Sequence, residues 1–519
     1  MTSLPGLPTS YWMEAETKGS HPPPEHDEEA DVAVIGGGMA GLCTAWEIAR
    51  AGRSVILVEA NRLGSGVTGH TTAKLSALQG LTYGHLRSAF GPRTAQLYAT
   101  SQLEAVEQVG QVSAELGIDC EWERCDAYSY ATRDGAVDEL RTEADAAEEA
   151  GLAAEFVPGT GLPFPVSGAV RASGQAQFHP LKFLAGLVDD LSERGGRIVE
   201  GTRVTRLREG SPCRLTTSRG VRITARDVVV ATHYPIFDRA LLFARMASRR
   251  ELVVTGLIPK ELDPQGMYHT QEQRTRSVRT APHDAERRLL IVTGEKFTPG
   301  AGQVRERYER LSSWMREHFP AAEPAHRWAA QDNWTTDQVP FVGPLHPAAR
   351  HTYVATGFGG WGLSGGVMAG RLLTSLITGG DDLPWARLYD PRRLHLLREG
   401  RALAERQVDT ARHFVGDRLS PPRPDRLAEL PRGSGTVVRS GARHLAVYRE
   451  EDGSLRALSA RCTHLGCLVQ FNDAERTWEC PCHGSRFDTD GSVVQGPAVR
   501  PLQARAETEA PSDERRGPG

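Results

Sequence analysis

The sequence predicts an α/β nucleotide-binding fold of the Rossmann type, followed by a small β-rich domain built around a metal centre. Three observations carry this expectation. A strand, a glycine turn and a helix follow one another near the N-terminus; a second glycine turn of the same form stands at residues 357–362; and four of the eight cysteines fall within Cys462–Cys482, interleaved with histidines. At 519 residues the chain exceeds one ordinary core and should divide into about two to four domains.

The first motif opens with the apolar β-branched run DVAVIG (31–36), continues through Gly36-Gly37-Gly38-Met39-Ala40-Gly41, and enters LCTAWEIARAG, which has helical spacing. In such a unit Gly36 permits the tight turn, Gly38 lets the backbone approach a pyrophosphate, and Gly41 allows the helix to pack closely on the strand. The helix N-terminus then offers unpaired N–H groups to the phosphates. A second strand, SVILVEA, ends in Glu59, whose carboxylate can accept hydrogen bonds from the ribose hydroxyls and disfavours a 2′-phosphate. The glycine pattern alone does not choose between FAD and NAD, since both carry adenosine diphosphate.

The C-terminal motif reads Cys462-Thr463-His464-Leu465-Gly466-Cys467, then Cys480-Pro481-Cys482-His483-Gly484-Ser485. Two thiolates on one iron and two imidazoles on the other make a Rieske [2Fe–2S] centre. A tetrahedral zinc site draws on the same residue types. The glycine-bearing loops and the later run GSVVQGPAVRPL favour the cluster, because zinc needs neither.

Composition excludes several function classes. Hydrophobic residues at 39% and charged residues at 24% suit packed interiors, and a net charge of −4 leaves no electrostatic footprint for nucleic acid. The sequence has no run near the ~20 apolar residues of a membrane span. Residues 1–30 are polar, proline-rich and unlike a signal peptide, so they are expected to form a disordered tail on a cytoplasmic protein.

Further motifs carry a resemblance. NRLGSGVTGHTTAKLSALQG (61–80), QAQFHPLKFLAGL, VVVATH and TTDQVPFVGP…YVATGFGGWGLSGG occur in order, and together they resemble the glycine oxidase and D-amino-acid dehydrogenase flavoproteins over roughly residues 30–380. The resemblance implies FAD, with the loop of Gly357, Gly359 and Gly362 beside the flavin ring. The two C-terminal loops resemble those of cytochrome bc-type Rieske proteins. That implies Cys462, His464, Cys480 and His483 as cluster ligands, a Cys467–Cys482 disulfide, and a hydrogen bond from Ser485 to a cluster sulfur. Phe487 stands where high-potential members carry tyrosine, which implies a lower potential. Residues 30–505 as a whole are similar to a bacterial group that joins these two domains.

The expected fold class is therefore an α/β FAD-binding Rossmann-type fold with an interleaved α+β substrate domain, followed by a small all-β Rieske domain. The expected boundaries are a tail at 1–30 and the oxidoreductase at 31–380, with its FAD part at 31–80, 165–235 and 335–380 and its substrate part at 81–164 and 236–334. A linker at 381–415, the Rieske domain at 416–505 and a polar tail at 506–519 complete the chain.

Flavin oxidation of a C–N bond needs positioning more than a strong base, so catalytic residues are hard to read from sequence; the candidates are His70, Lys74 and Trp361. The competing readings are a hydrogen-bonding histidine or a covalent FAD link for His70, a surface lysine for Lys74, and packing for Trp361. Oxidases of this resemblance carry a lysine two residues before a late glycine; in LLIVTGEKF that place is Val292, ahead of Gly294, which implies poor reaction with oxygen. His346 and His351 have iron-site spacing without an oxygenase domain to use it, and are set aside. The expected activity is a dehydrogenase that oxidises a small amine or amino acid and passes electrons through the cluster to an external acceptor. The alternatives are a redox carrier serving a partner oxygenase and a redox sensor without turnover.

Overall fold

The computed structural model describes residues 4–14, 21–237, 239–240, 242–270, 272, 274–393 and 427–505. They form two compact units: one of Met1–His233, Glu251–Lys296 and Tyr308–Leu394, the other of Tyr234–Arg250, Phe297–Arg307 and His395–Gly519.

The first unit holds two sheets. In the nucleotide sheet, Glu28–Ile35 lies between Arg222–Val230 and Val55–Val58, with Thr352–Thr356 and Arg197–Val199 outside them, and all these neighbours pair in parallel. Parallel strands covered on both faces are apolar throughout, and Val32–Ile35, Val55–Val58 and Val228–Val230 are all buried. The helix Met39–Arg50 follows the first of these strands and Gly362–Thr378 follows Thr352–Thr356. Both helices therefore start at the carboxyl edge of the sheet.

The two helices pack on each other through small residues. A Cβ added at Gly366 would lie 3.0 Å from the Ala40 nitrogen, and one at Gly370 would lie 2.9 Å from the Cys43 carbonyl carbon. Glycine at these positions is what lets the backbones approach.

The second sheet runs in the order Glu323–Thr335, Met246–Pro259, Arg287–Phe297, Arg276–Pro282, Met267–His269, Glu123–Ala131, Gly168–Gln177, Lys74–Leu75. Two segments expected with the FAD part, 74–75 and 168–177, are thus strands of this sheet. The expected disordered tail also needs correction. Trp12 is fully buried and donates from Nε1 to the Thr71 carbonyl at 2.6 Å, and Leu7 pairs with His326. An indole that large gains several kcal/mol, on the order of 3, by leaving water, which fixes a segment whose average composition is polar.

The expected linker begins with packed residues as well, since Trp385 and Tyr389 are buried; residues 394–415 of it lie outside the described residues, as does the tail from 506. No helix of the described residues is long and apolar enough to cross a membrane.

In the second unit, Ser434–Ser440, Arg443–Arg449 and Leu455–Ser459 form a three-stranded antiparallel sheet, while Gln470–Asn472, Thr477–Glu479, Arg486–Phe487 and Val493–Gln495 form a four-stranded one. Their core includes Tyr448, Leu458, Val469, Trp478 and Phe487. Tyr234–Arg250 and Phe297–Arg307 belong to this unit although they fall largely within the expected substrate part, so that part is divided.

Candidate active site and cluster-binding loops

At the first glycine turn, Gly36 has φ +109°, and a Cβ there would meet the Ala231 oxygen at 2.4 Å; one at Gly41 would lie 1.8 Å from the Gly36 oxygen. No side chain fits at either place. Gly38 has an extended backbone and its added Cβ meets only Thr68 Oγ1, at 3.1 Å, which leaves an open approach to the helix N-terminus. Thr68 Oγ1 itself accepts a hydrogen bond from the Met39 N–H at 3.0 Å. The Glu59 carboxylate accepts from the Gly37 and Asn61 N–H groups, each at 2.8 Å. Burial pushes this carboxyl upward against those two donors, and each oxygen keeps a further lone pair for a ribose hydroxyl. The bare turn and the carboxylate at the end of the second strand fit the adenosine diphosphate half of FAD.

At the second turn Gly357, Gly359 and Gly360 have φ of +78°, +57° and +91°. The Gly359 N–H donates to the Asn333 carbonyl at 3.0 Å, and a Cβ on Gly359 would touch Trp334 at 3.2 Å. Gly362 starts the following helix without a steric demand of its own, its added Cβ being 3.8 Å from Phe358.

The second sheet sets a group of charged side chains near this loop. Asp332, Glu251, Lys296, Ser277 and His269 come one each from its first five strands, and Lys74 from its last. Lys74 Nζ donates to the hydroxyls of Thr72, at 3.0 Å, and Ser277, so the sheet curls. A Cβ on Gly360 would lie 3.6 Å from Asp332 Oδ2; Lys296 Nζ sits 5.2 Å from the centre of the Trp334 ring; and His269 meets Trp361 edge to face at 5.8 Å. Ser277 is buried and the others are partly buried, and the charged groups are close enough to act on one another, so we refer to the place they share as the recess.

Burial, reinforced by Arg279, pushes the Lys74 ammonium down to about 7. Burial and then Glu251 push the Asp332 carboxyl up to about 7, against Lys296 and Lys74. Burial followed by the two lysines holds His269 neutral, well below its ordinary range.

The structure thus brings Lys74 and Trp361 together and leaves His70 apart, its Nδ1 paired with the Gly66 carbonyl at 2.8 Å within its own turn. Asp332, Lys296, His269 and Glu251 were not legible in the sequence. Val292 is buried in the core, whereas a lysine of the same strand, Lys296, does reach the recess. His346 and His351 bind different carboxylates, Glu209 at 2.8 Å and Asp227 at 2.9 Å, in keeping with setting them aside.

In the second unit the two ligand loops are built alike. Cys462 N–H donates to the Cys467 carbonyl and Gly466 N–H to that of Cys462; Cys480 N–H donates to the Ser485 carbonyl and Gly484 N–H to that of Cys480. Gly466 and Gly484 have φ of +81° and +73°, a conformation that glycine adopts without strain. Cys462 and Cys480 are buried thiols outside any disulfide, and the His464 and His483 rings stand perpendicular with centroids 5.0 Å apart. Cys467 and Cys482 are joined in a disulfide, and their sulfurs lie within 4.8 Å of Cys480 Sγ.

Backbone N–H groups of His464 and Leu465 point at the Cys462 sulfur, and those of Cys482 and His483 at the Cys480 sulfur. Ser485 Oγ accepts from the Ala498 N–H at 3.0 Å and directs its own hydroxyl to Cys462. Two thiolates ringed by donors, with two imidazoles opposite, fit the charge distribution of a [2Fe–2S] cluster.

Residues missed by sequence reading complete this site. Tyr234 packs on His483 at 5.7 Å and on His464 at 6.4 Å, and Phe243 on His483 at 6.0 Å. Behind the loops, the buried Arg250 pairs with Glu479 and with Glu475 at 2.8 Å. Glu479 also accepts from Asn472 Nδ2 and from the Gly300 N–H, each at 2.9 Å.

Fold and sites together define a flavin-dependent oxidoreductase that carries a Rieske iron–sulfur domain. The chain belongs to the FAD dependent oxidoreductase family, whose model matches residues 31–376, and a Rieske [2Fe-2S] domain matches residues 425–506. It is 34% identical over 499 residues to the Rieske 2Fe-2S iron-sulfur protein YhfW of Bacillus subtilis (strain 168), covering 96% of this chain and 97% of that one. It is 24% identical over 365 residues to gamma-glutamylputrescine oxidoreductase of Escherichia coli (strain K12), covering 67% and 84%. The fold matches that of glycine oxidase from Geobacillus kaustophilus at a TM-score of 0.58 and 21% identity, over 71% of this chain and 99% of the other. FAD and a [2Fe-2S] cluster are accordingly its cofactors.

Proposed function

We propose that the protein is a dehydrogenase that oxidises a C–N bond of a small amine or amino acid and delivers the electrons, through the Rieske cluster, to an external acceptor. The observation that carries this reading is the recess of Lys74, Asp332, Lys296 and His269 beside the loop of Gly357, Gly359 and Gly362, on a chain that also has a Rieske domain, in which Cys462, His464, Cys480 and His483 are the ligands we assign. Bound FAD supplies a hydride acceptor, and the cluster supplies one-electron transfer. In that assignment Gly36, Gly38, Gly41 and Glu59 hold the adenosine diphosphate half. Trp361 and Trp334 wall the recess, while Asp332 and Lys74, both poised near neutrality, can exchange a proton with a bound amine.

Preference for a dehydrogenase over an oxidase rests on the appended cluster, which gives electrons a one-electron route. It does not rest on Val292, since Lys296 is present in the recess. The names of two similar proteins, a gamma-glutamylputrescine oxidoreductase and a glycine oxidase, support a C–N substrate.

The test is an anaerobic optical and electron paramagnetic resonance titration with amines, D- and L-amino acids and NAD(P)H. An amine or amino acid should bleach the flavin, and a Rieske signal should then grow in. Reduction by NAD(P)H alone would favour the carrier role instead.

A further inference from the structure

Asp332 is the one carboxylate of the recess that accepts no hydrogen bond. Among the described residues its side chain makes neither a hydrogen bond nor an ion pair, whereas Glu251 accepts from Thr275 Oγ1 at 3.3 Å. The group is half-buried, so water satisfies it only in part, and a carboxylate so placed without a protein donor is unfavourable by about 1 kcal/mol. The cations near it do not repair this. Lys74 is held by two hydroxyls, Lys296 lies against Trp334, and neither comes within ion-pair distance of Asp332.

The charged and titratable groups facing Asp332 are Glu251 from the neighbouring strand, Lys296 from the next, His269 beyond it, and Lys74 from the far edge. Asp332 and Glu251 each disfavour the other's charge. An ammonium arriving within hydrogen-bond distance of Asp332 relieves that repulsion and supplies N–H donors that Lys74 and Lys296, both beyond ion-pair distance, do not, while an anion would be drawn to those lysines instead.

Building on the amine-oxidising role above, we propose that Asp332 is the anchor of the substrate's ammonium group, so that the recess selects an alkylammonium ion over an uncharged molecule of the same shape. On binding, the ammonium donates to the Asp332 carboxylate. Before C–N oxidation one proton passes from nitrogen to an Asp332 oxygen, leaving a neutral amine and a carboxylic acid, so that charge and atoms balance within the pair.

The test uses the full-length, flavin-loaded protein and two readouts besides turnover: perturbation of the flavin absorbance and thermal stabilisation. The probes are C2–C6 monoamines, the matching α,ω-diamines, and the alcohols of the same length. At least one amine should bind, and Asp332→Asn should weaken it about tenfold or more, as expected for the loss of a charge-assisted hydrogen bond, while the weak binding of the alcohol stays unchanged. Wild-type affinity should climb as pH rises through about 7, where this carboxyl ionises; the variant should keep only the smaller rise that loss of the Lys74 charge over the same range contributes, and Asp332→Glu should recover part of the affinity.

Equal amine binding by wild type and Asp332→Asn, alcohols binding as tightly as amines, or no amine binding at all would each overturn the anchor. Amine binding that depends on Asp332 yet never bleaches the flavin would overturn the oxidative role and uphold the anchor. Bleaching by an amine with unaltered affinity in Asp332→Asn would do the reverse.

Discussion

Two groups of withdrawn charges, one in each unit, are handled in opposite ways. Behind the ligand loops, Arg250 is 1% exposed and Glu479 fully buried, and they pair directly, with Glu475, Arg486, Asn472 and the Gly300 backbone completing the network. In the recess, Lys74, Lys296, Asp332 and Glu251 sit close enough to perturb one another, yet among the described residues no two of them form an ion pair. Charges matched to each other fix a structure, whereas charges held apart around a space leave their interactions for something that enters it. The first group reads as scaffold, and the second as a place free to meet a ligand, which is the role proposed for it above.

If the Arg250 network is scaffold, cutting it must be costly. Arg250→Met leaves the buried Glu479 with only the longer ion pair to Arg486, at 3.4 Å, a change that should destabilise the second unit by about 3 kcal/mol, the low end for a broken buried pair. The checkable outcome is a lower unfolding midpoint together with loss of iron and of the Rieske signal, while the flavin content is kept. Restored stability in an Arg250→Met/Glu479→Gln double variant would sharpen the point, since both charges then leave together. A wild-type midpoint in the single variant would break the contrast.

A smaller effect is expected at Tyr234, whose ring covers His483 and His464. Tyr234→Ala should leave the cluster in place and admit water to its histidine side. Water favours the reduced form, which carries more charge, so the potential should rise by an amount on the order of tens of millivolts, read by redox titration of the Rieske signal. An unchanged potential would mean that the tyrosine merely packs.

The same comparison explains what the sequence discloses. Ligand loops and glycine turns are local: Cys462 and His464 stand two residues apart, and Gly36, Gly38 and Gly41 share one turn, so residue type and spacing carry the chemistry. The recess is assembled across a sheet from positions 74, 251, 269, 296 and 332, with no spacing to detect, and sheet order alone puts them together. Lys74 and Trp361 were found only because they lie within or beside motifs legible for other reasons. Trp12 was missed because one buried indole outweighs the polar average around it. The assignment of Tyr234–Arg250 to the cluster's unit was hidden for a related reason, because a long chain excursion leaves no mark on local pattern.

The smallest effect tests the recess by its stability. Asp332 has a folded-state pKa raised from the ordinary carboxyl value to about 7, first by burial and then by Glu251. Above pH 7 the group is ionised folded and unfolded alike, and the folded state bears the penalty of a partly desolvated charge. Between about 7 and 4 the folded state takes up the proton first, so the penalty shrinks as pH falls, and it is gone below the unfolded value. Asp332→Asn should therefore raise the unfolding midpoint of the flavin unit at pH 8, by roughly 1–3 °C after allowance for the group's partial exposure, and should change it little near pH 4. A substitution that stabilises the fold while weakening amine binding is what a carboxylate kept unpaired for a ligand predicts. A destabilised variant at pH 8 would instead place Asp332 with Glu479, among the charges that hold the protein together.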